Sequence, residues 1–169
     1  KQWRAFNGGE EKPIDQIANL VHDLKANPDS RRLVVTAWNP AEIDKVFVAP
    51  CNCFFKFFHA QGELSLHLFQ RSADVPIGVP FDIAEYALLL MMVAQVTGLK
   101  PKEFVHTLSD THIYLDKIGQ MKELITRDPK PLPKVKMNPD VKNIFDFTFE
   151  DFTLENYDSH PPMKIPVAL

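Results

Sequence analysis

The 169 residues carry 45% apolar and 24% charged side chains with a formal charge of −3. That is the make-up of one globular domain, and it excludes a disordered or fibrous chain. It also excludes a global attraction to nucleic acid or anionic membrane, so any anionic ligand must be gripped by local arginines. The longest apolar run, residues 86–94, reads as too short for a membrane span. The opening Lys1-Gln2-Trp3-Arg4 does not read as a signal peptide. Cys51 and Cys53 lack the further Cys or His that a zinc site needs, so no metal is expected, and so few cysteines fit a reducing cytoplasm.

Along the chain, Ile14, Ile17, Leu20, Val21 and Leu24 recur at helical spacing between Pro13 and Pro28, which predicts an amphipathic helix. Residues 33–38 read as a strand. Residues 53–60, a Gln61-Gly62 turn and residues 63–70 read as a hairpin, with Leu64, Leu66 and Leu68 alternating against Ser65, His67 and Phe69. Residues 81–97 are apolar almost all round and predict a buried central helix. A short strand near 103–108, a helix over about 114–127, a strand around 134–137 and another over 145–154 complete the pattern. The final residues 161–169 are too Pro-rich for a helix. There is no internal repeat. The fold class is α+β, a mixed sheet packed on a long buried helix.

The chemistry-bearing residues cluster around the hairpin. Pro50-Cys51 stands just ahead of it, Arg71-Ser72 beyond it, and Arg31-Arg32 before the preceding strand. A thiol near arginines ionises more readily, and the thiolate is the nucleophile. Arg31, Arg32, Arg71 and Ser72 are the donor types that grip phosphate. Read singly, each has an ordinary alternative: a buried small thiol, a solvated Arg pair, a structural His112. Asp82 likewise reads either as a helix N-cap or as a functional carboxylate.

Taken in order, "DSRRLVVTAWNP", "APC", "LFQRSADVPIGVPF", "SDTHIY" and "NYDSHPPMKIPVAL" closely resemble the thymidylate synthase family over essentially the whole chain. The resemblance implies one catalytic domain over residues 1–169 with the family's α+β fold, lacking the family's N-terminal part. That part would hold another phosphate-binding Arg, a catalytic Glu and folate-contacting tryptophans. The resemblance implies a homodimer that transfers one carbon from 5,10-methylenetetrahydrofolate to carbon 5 of a pyrimidine deoxynucleotide monophosphate. Cys51 matches the cysteine that adds to carbon 6. Arg71 and Ser72 match phosphate ligands of the same subunit, and Arg31 and Arg32 match the pair reaching the partner's site. Asp74 matches a carboxylate that assists the folate and orders the base. His112 and Tyr114 match residues that hydrogen-bond the sugar 3′-hydroxyl. Gly78, Phe81, Val167 and Ala168 match folate-side contacts.

Departures from the family pattern point to the base. The usual Asn is Asp82 here. An amide suits uracil, whereas a carboxylate accepts from the amino group of cytosine and, sharing one proton with ring nitrogen 3, makes a second bond there. An Asp stands here in the family's cytosine-using members, the deoxycytidylate hydroxymethylases. The usual His after the nucleophile is Asn52, which implies altered chemistry at the same edge of the base. Ser109 replaces a usual Gly, and Glu85, a helical neighbour of Asp82, reads as facing a partner or solvent. The expectation is dCMP hydroxymethylation through a covalent Cys51 adduct, with Asp74, Asp82 and Asn52 assisting. The alternatives are reductive methylation of dUMP, 5-methylation of dCMP, and a truncated, non-catalytic homologue.

Overall fold

A computed structural model describes residues 3–4 and 13–166. Its centre is a four-stranded mixed sheet in the order β3-β4-β5-β6, with one long helix laid against it. Two short strands, β1 (Trp3–Arg4) and β2 (Pro13–Ile14), pair antiparallel ahead of helix α1 (Gln16–Ala26). The α1 start is set by Asp15, whose Oδ1 accepts from the Ala18 amide at 2.9 Å, an N-cap bond that satisfies one orphan donor. Leu20 and Leu24 fall on its core face and are buried.

Strand β3 (Val34–Thr36) pairs antiparallel with β4 (Asn52–Ala60), and β4 with β5 (Glu63–Asp74) through the expected Gln61-Gly62 turn. Both turn residues have positive φ, 53° and 79°, and Gly62 supplies the second at no steric cost. Leu64, Leu66 and Leu68 are fully buried, as their alternation predicts. With Leu33, Val35, Phe55 and Phe57 they form the sheet's half of the core.

Helix α2 (Gly78–Thr97) then crosses over the sheet, and β6 (Lys100–His112) returns parallel to β5. Gly98, at φ 74°, ends the helix in a left-handed cap, where the Leu99 amide bonds to the Ala94 carbonyl at 2.9 Å. Leu90, Val93, Ala94 and Val96 of α2 are buried in the core. The expectation of a helix buried all round is corrected: its first half is open, with Phe81 73% and Ile83 46% exposed. The expectation that nothing here reaches membrane-spanning length is corrected too. At 20 residues α2 is long and apolar enough by length and composition, yet its C-terminal half packs on the sheet and Asp82 near its start is hydrogen-bonded to two strands.

Three other expectations shift. The strand near 103–108 is in fact thirteen residues long, because pairing with β5 carries it through Pro101 and the polar Ser109-Asp110-Thr111. The helix over 114–127 shrinks to a single 3₁₀ turn, Leu115–Lys117, and a short α3 (Ile118–Leu124). The strand over 145–154 begins only at Phe152. Thr148 and Asp151 form a reciprocal capping box on a 3₁₀ turn at Phe149–Asp151, and β8 (Phe152–Glu155) then pairs antiparallel with β7 (Lys134–Met137). Residues 161–166 form no helix, as expected.

Leu66 is fully buried at the middle of β5. Leu66→Ala should lower the unfolding free energy in urea by about 3 kcal/mol. Leu132→Ala, at a side chain 88% exposed, should change it by less than about 0.5 kcal/mol.

Candidate active site

The inward face of β5 is apolar through Leu68 and turns polar at Gln70, and the burial alternation then breaks, with Ser72 and Asp74 half-buried and Ala73 between them fully buried. That is where α2 begins, and its first turns meet Gln70 through Asp82 and approach Asp74 at Gly78. Gly78 lies at the corner between the two carboxylates: a Cβ there would be 3.7 Å from Asp82 Oδ2 and 3.8 Å from Asp74 Cβ, ordinary van der Waals contact.

Asp82 is the hub. It is not a helix cap: Ile77 holds the cap position, with no side-chain bond, and Asp82 lies beyond the first turn. Its Oδ1 accepts from Asn52 Nδ2 at 2.8 Å and its Oδ2 from Gln70 Nε2 at 2.9 Å. Asn52 and Gln70 are cross-strand partners on β4 and β5, so the two amides flank the carboxylate from adjacent strands. Both oxygens thus serve as acceptors towards the two strands. Gln70, only 2% exposed, spends its other amide proton on the Ser72 carbonyl at 2.9 Å, and its Oε1 meets His106 Nε2 at 2.8 Å. Asn52 Oδ1 is buried without a partner among the described residues.

Tyr86, one helical turn beyond Asp82, closes the network on the core side. Its ring meets Phe55 edge-on and stacks on Phe104. Burial and the charges of Glu85 and Asp82 push its phenol up to about 12, against a hydrogen bond from Asn52. Burial lowers the pKa of His106, with the charge of Asp82 opposing the shift. Glu85 is exposed, as its reading predicted.

Cys51 is a free, half-buried thiol immediately ahead of β4, and its carbonyl accepts from the Arg71 amide at 2.9 Å. The Arg71 guanidinium braces the same loop: Nε donates to the Pro50 carbonyl at 3.0 Å and Nη2 to the Ala49 carbonyl at 2.8 Å, with its carbon 5.7 Å above the Trp38 ring. Arg71 therefore positions the loop that carries Cys51 as well as offering a cation near it.

The parallel register sets Ser72 beside Asp110 and Asp74 beside His112. The His112 ring meets Tyr114 edge-on at 5.0 Å and contacts the Asp110 carbonyl at 3.2 Å. Asp74 Oδ2 pairs at 3.1 Å with Lys117, a fully buried ammonium that also sits 4.5 Å above the Tyr114 ring, while Asp74 Oδ1 is buried and unpartnered among the described residues. Such a cation is tolerable inside a protein only with a carboxylate and a ring face to compensate it.

Cys51, Asn52, Arg71, Ser72, Asp74, Gly78, Asp82, His112 and Tyr114 thus gather at one end of the sheet. Phe81 stands exposed on the same helix turn as Asp82. Arg31 and Arg32 do not join them. Leu33 bonds to Phe57, so these arginines lie towards the hairpin end of β4, roughly 20 Å of strand from Cys51. Val167 and Ala168 lie outside the described residues. Sequence reasoning missed Gln70, Tyr86, His106 and Lys117. Only Gln70 carried a visible signal, being a polar residue in phase with Leu64, Leu66 and Leu68.

A mixed α+β fold with a thiol, a braced arginine and two separately partnered carboxylates at one sheet end is the frame of an enzyme site. The thymidylate synthase family model matches residues 1–169, and the chain belongs to that family. The family comprises folate-dependent one-carbon transferases that act at carbon 5 of a pyrimidine and use methylenetetrahydrofolate as cosubstrate.

Because the charge of Glu85 helps to keep the Tyr86 phenol protonated, Glu85→Gln should lower its ionisation midpoint. Ultraviolet titration of the tyrosinates, with Tyr86→Phe to assign the last step, measures the shift.

Proposed function

We propose that the protein hydroxymethylates carbon 5 of dCMP through a covalent Cys51 adduct. The observation that carries this reading is the polarity of the site. Asp82 offers a carboxylate with both oxygens already fed by amide donors, and the unfilled polar atoms beside it and across the corner, Asn52 Oδ1 and Asp74 Oδ1, are acceptors as well. Such a site wants a ligand that donates. The 4-amino group of cytosine donates, whereas the 4-oxo group of uracil meets Asp82 lone pair to lone pair. A mispaired, charge-assisted contact of this kind costs a few kcal/mol, roughly a 100-fold preference. The helix-cap alternative for Asp82 loses its ground, because Ile77 holds that position.

The surrounding residues supply the other needs of the reaction. Carbon 6 of a pyrimidine is a poor electrophile, so the thiolate must be held in place, and Arg71 braces the loop that carries it. Asp82, accepting from the shared proton as it resides on ring nitrogen 3, stabilises charge on the ring as the thiolate adds. Arg71 and Ser72 bind the phosphate, and His112 and Tyr114 the sugar. The folate donates the transferred carbon. The acceptor Asp74 Oδ1 suits its ring N–H donors and the exposed Phe81 ring its flat face, with Gly78 at the corner between them. Hydroxymethylation is favoured over methylation by the resemblance at Asp82 to the deoxycytidylate hydroxymethylases. A reducing cytoplasm suits a working thiol.

The homodimer belongs to the same proposal. The outer face of the sheet presents Val34, Phe54, Phe58 and Val105, each at least 41% exposed, an apolar face suited to packing against another sheet. Arg31 and Arg32 are too far along the strand to serve their own Cys51, which leaves the partner's nucleotide as their target.

Cys51→Ser should abolish turnover while dCMP binding survives; retained turnover contradicts covalent catalysis. With dCMP and methylenetetrahydrofolate, release of tetrahydrofolate is expected, and release of dihydrofolate would mark methyl transfer instead. Asp82→Asn should move the kcat/KM preference towards dUMP, and an unchanged preference would remove Asp82 from base selection.

A further inference from the structure

We propose that His106 is a positioning residue for base selection, acting through Gln70 to hold Asp82 in its acceptor form; this rests on the cytosine reading of Asp82. The polarity of the chain can be followed atom by atom. The Ser72 carbonyl can only accept, so the Gln70 atom 2.9 Å from it must be the amide nitrogen. The same nitrogen supplies Asp82 Oδ2 at 2.9 Å, which commits both of its protons. Gln70 Oε1 therefore faces His106, and since an amide oxygen only accepts, His106 Nε2 must carry a proton. His106 Nδ1 is buried without a partner among the described residues, which suits a bare ring nitrogen, and burial favours the neutral ring. His106 is then the Nε2–H tautomer, a fixed donor at the end of the chain.

The consequence lies at the opposite end. To accept an oxo ring, Asp82 must take up a proton, and the protonated acid would be relieved if Gln70 turned its oxygen towards it. The turned amide would set its oxygen against the Ser72 carbonyl and an N–H against His106 Nε2–H, so both neighbours oppose that rotation and His106 supplies its share. Gln70 presents a donor to Asp82 whatever ligand arrives, and protonating Asp82 gains no acceptor. Asn52 supports the same state from the second oxygen. His106 bonds to Gln70 and packs on Phe104, and reaches Asp82 through Gln70. Its effect is to make the carboxylate's acceptor state expensive to leave.

The test is the ratio of dissociation constants for dUMP and dCMP, measured by calorimetry on the full chain. His106→Phe keeps a flat ring but removes the donor, and should reduce the wild-type ratio about tenfold. His106→Gln, which restores an N–H, should bring it back to within about threefold. An unchanged ratio in the Phe variant, or equal weakening of both nucleotides by Phe and Gln, overturns the proposal. A wild-type preference for dUMP would defeat the cytosine reading by itself, and the shift between variants would still judge His106. Should the Phe variant fail to fold, the wild-type tautomer decides: long-range proton–nitrogen NMR is expected to show the proton on Nε2, and a proton on Nδ1 overturns the relay.

Discussion

The carboxylate of Asp82 is where the long helix meets the sheet, and the site is organised around that contact. Two side-chain amides from adjacent strands, Asn52 and Gln70, donate to its two oxygens. Charge-assisted bonds of this type in a partly buried corner are stronger than neutral ones, and losing either donor would leave a carboxylate poorly compensated. The same contact fixes the helix's first turns against the polar end of β5 and leaves an acceptor beside Cys51. The docking of the helix and the polarity of the site thus rest on one group, so substitutions here will move both.

The topology explains why so much chemistry converges there. β5 and β6 are parallel, so their C-terminal ends lie side by side, and the helix that links them starts at that edge. Ser72 and Asp74 stand opposite Asp110 and His112, and the loop bearing Cys51 is tied to β5 through the Arg71 backbone and guanidinium. Ligands of open α/β sheets bind at strand C-terminal ends for the same geometric reason. The buried Lys117 under Tyr114 anchors Asp74 from the outer side of this corner.

Local patterns in the sequence carry much of this arrangement. The first helix, the hairpin, its turn and the α+β class follow from apolar periodicity and turn chemistry, which are local. The length of β6 does not: Pro101 and Ser109-Asp110-Thr111 are poor strand formers by composition, and only pairing with β5 holds them extended. The exposed first half of α2 is also illegible, since an all-round apolar helix looks buried whatever stands beside it. At the site, motif order singled out Cys51, Arg71 and Asp82, and the fold brings these three to the same sheet end. His106 and Lys117 were invisible because their roles arise from contacts with residues distant along the chain, Gln70 and Asp74. Gln70 alone could have been suspected, as a polar residue in phase with a buried leucine row.

The central claim is that a donor-fed carboxylate selects an amino-bearing ring. Calorimetric titration of the unaltered protein with dCMP and with dUMP, at matched pH and salt, tests it without any chemistry. The account predicts that dCMP binds roughly 100-fold more tightly. Equal affinities, or tighter binding of dUMP, would contradict it.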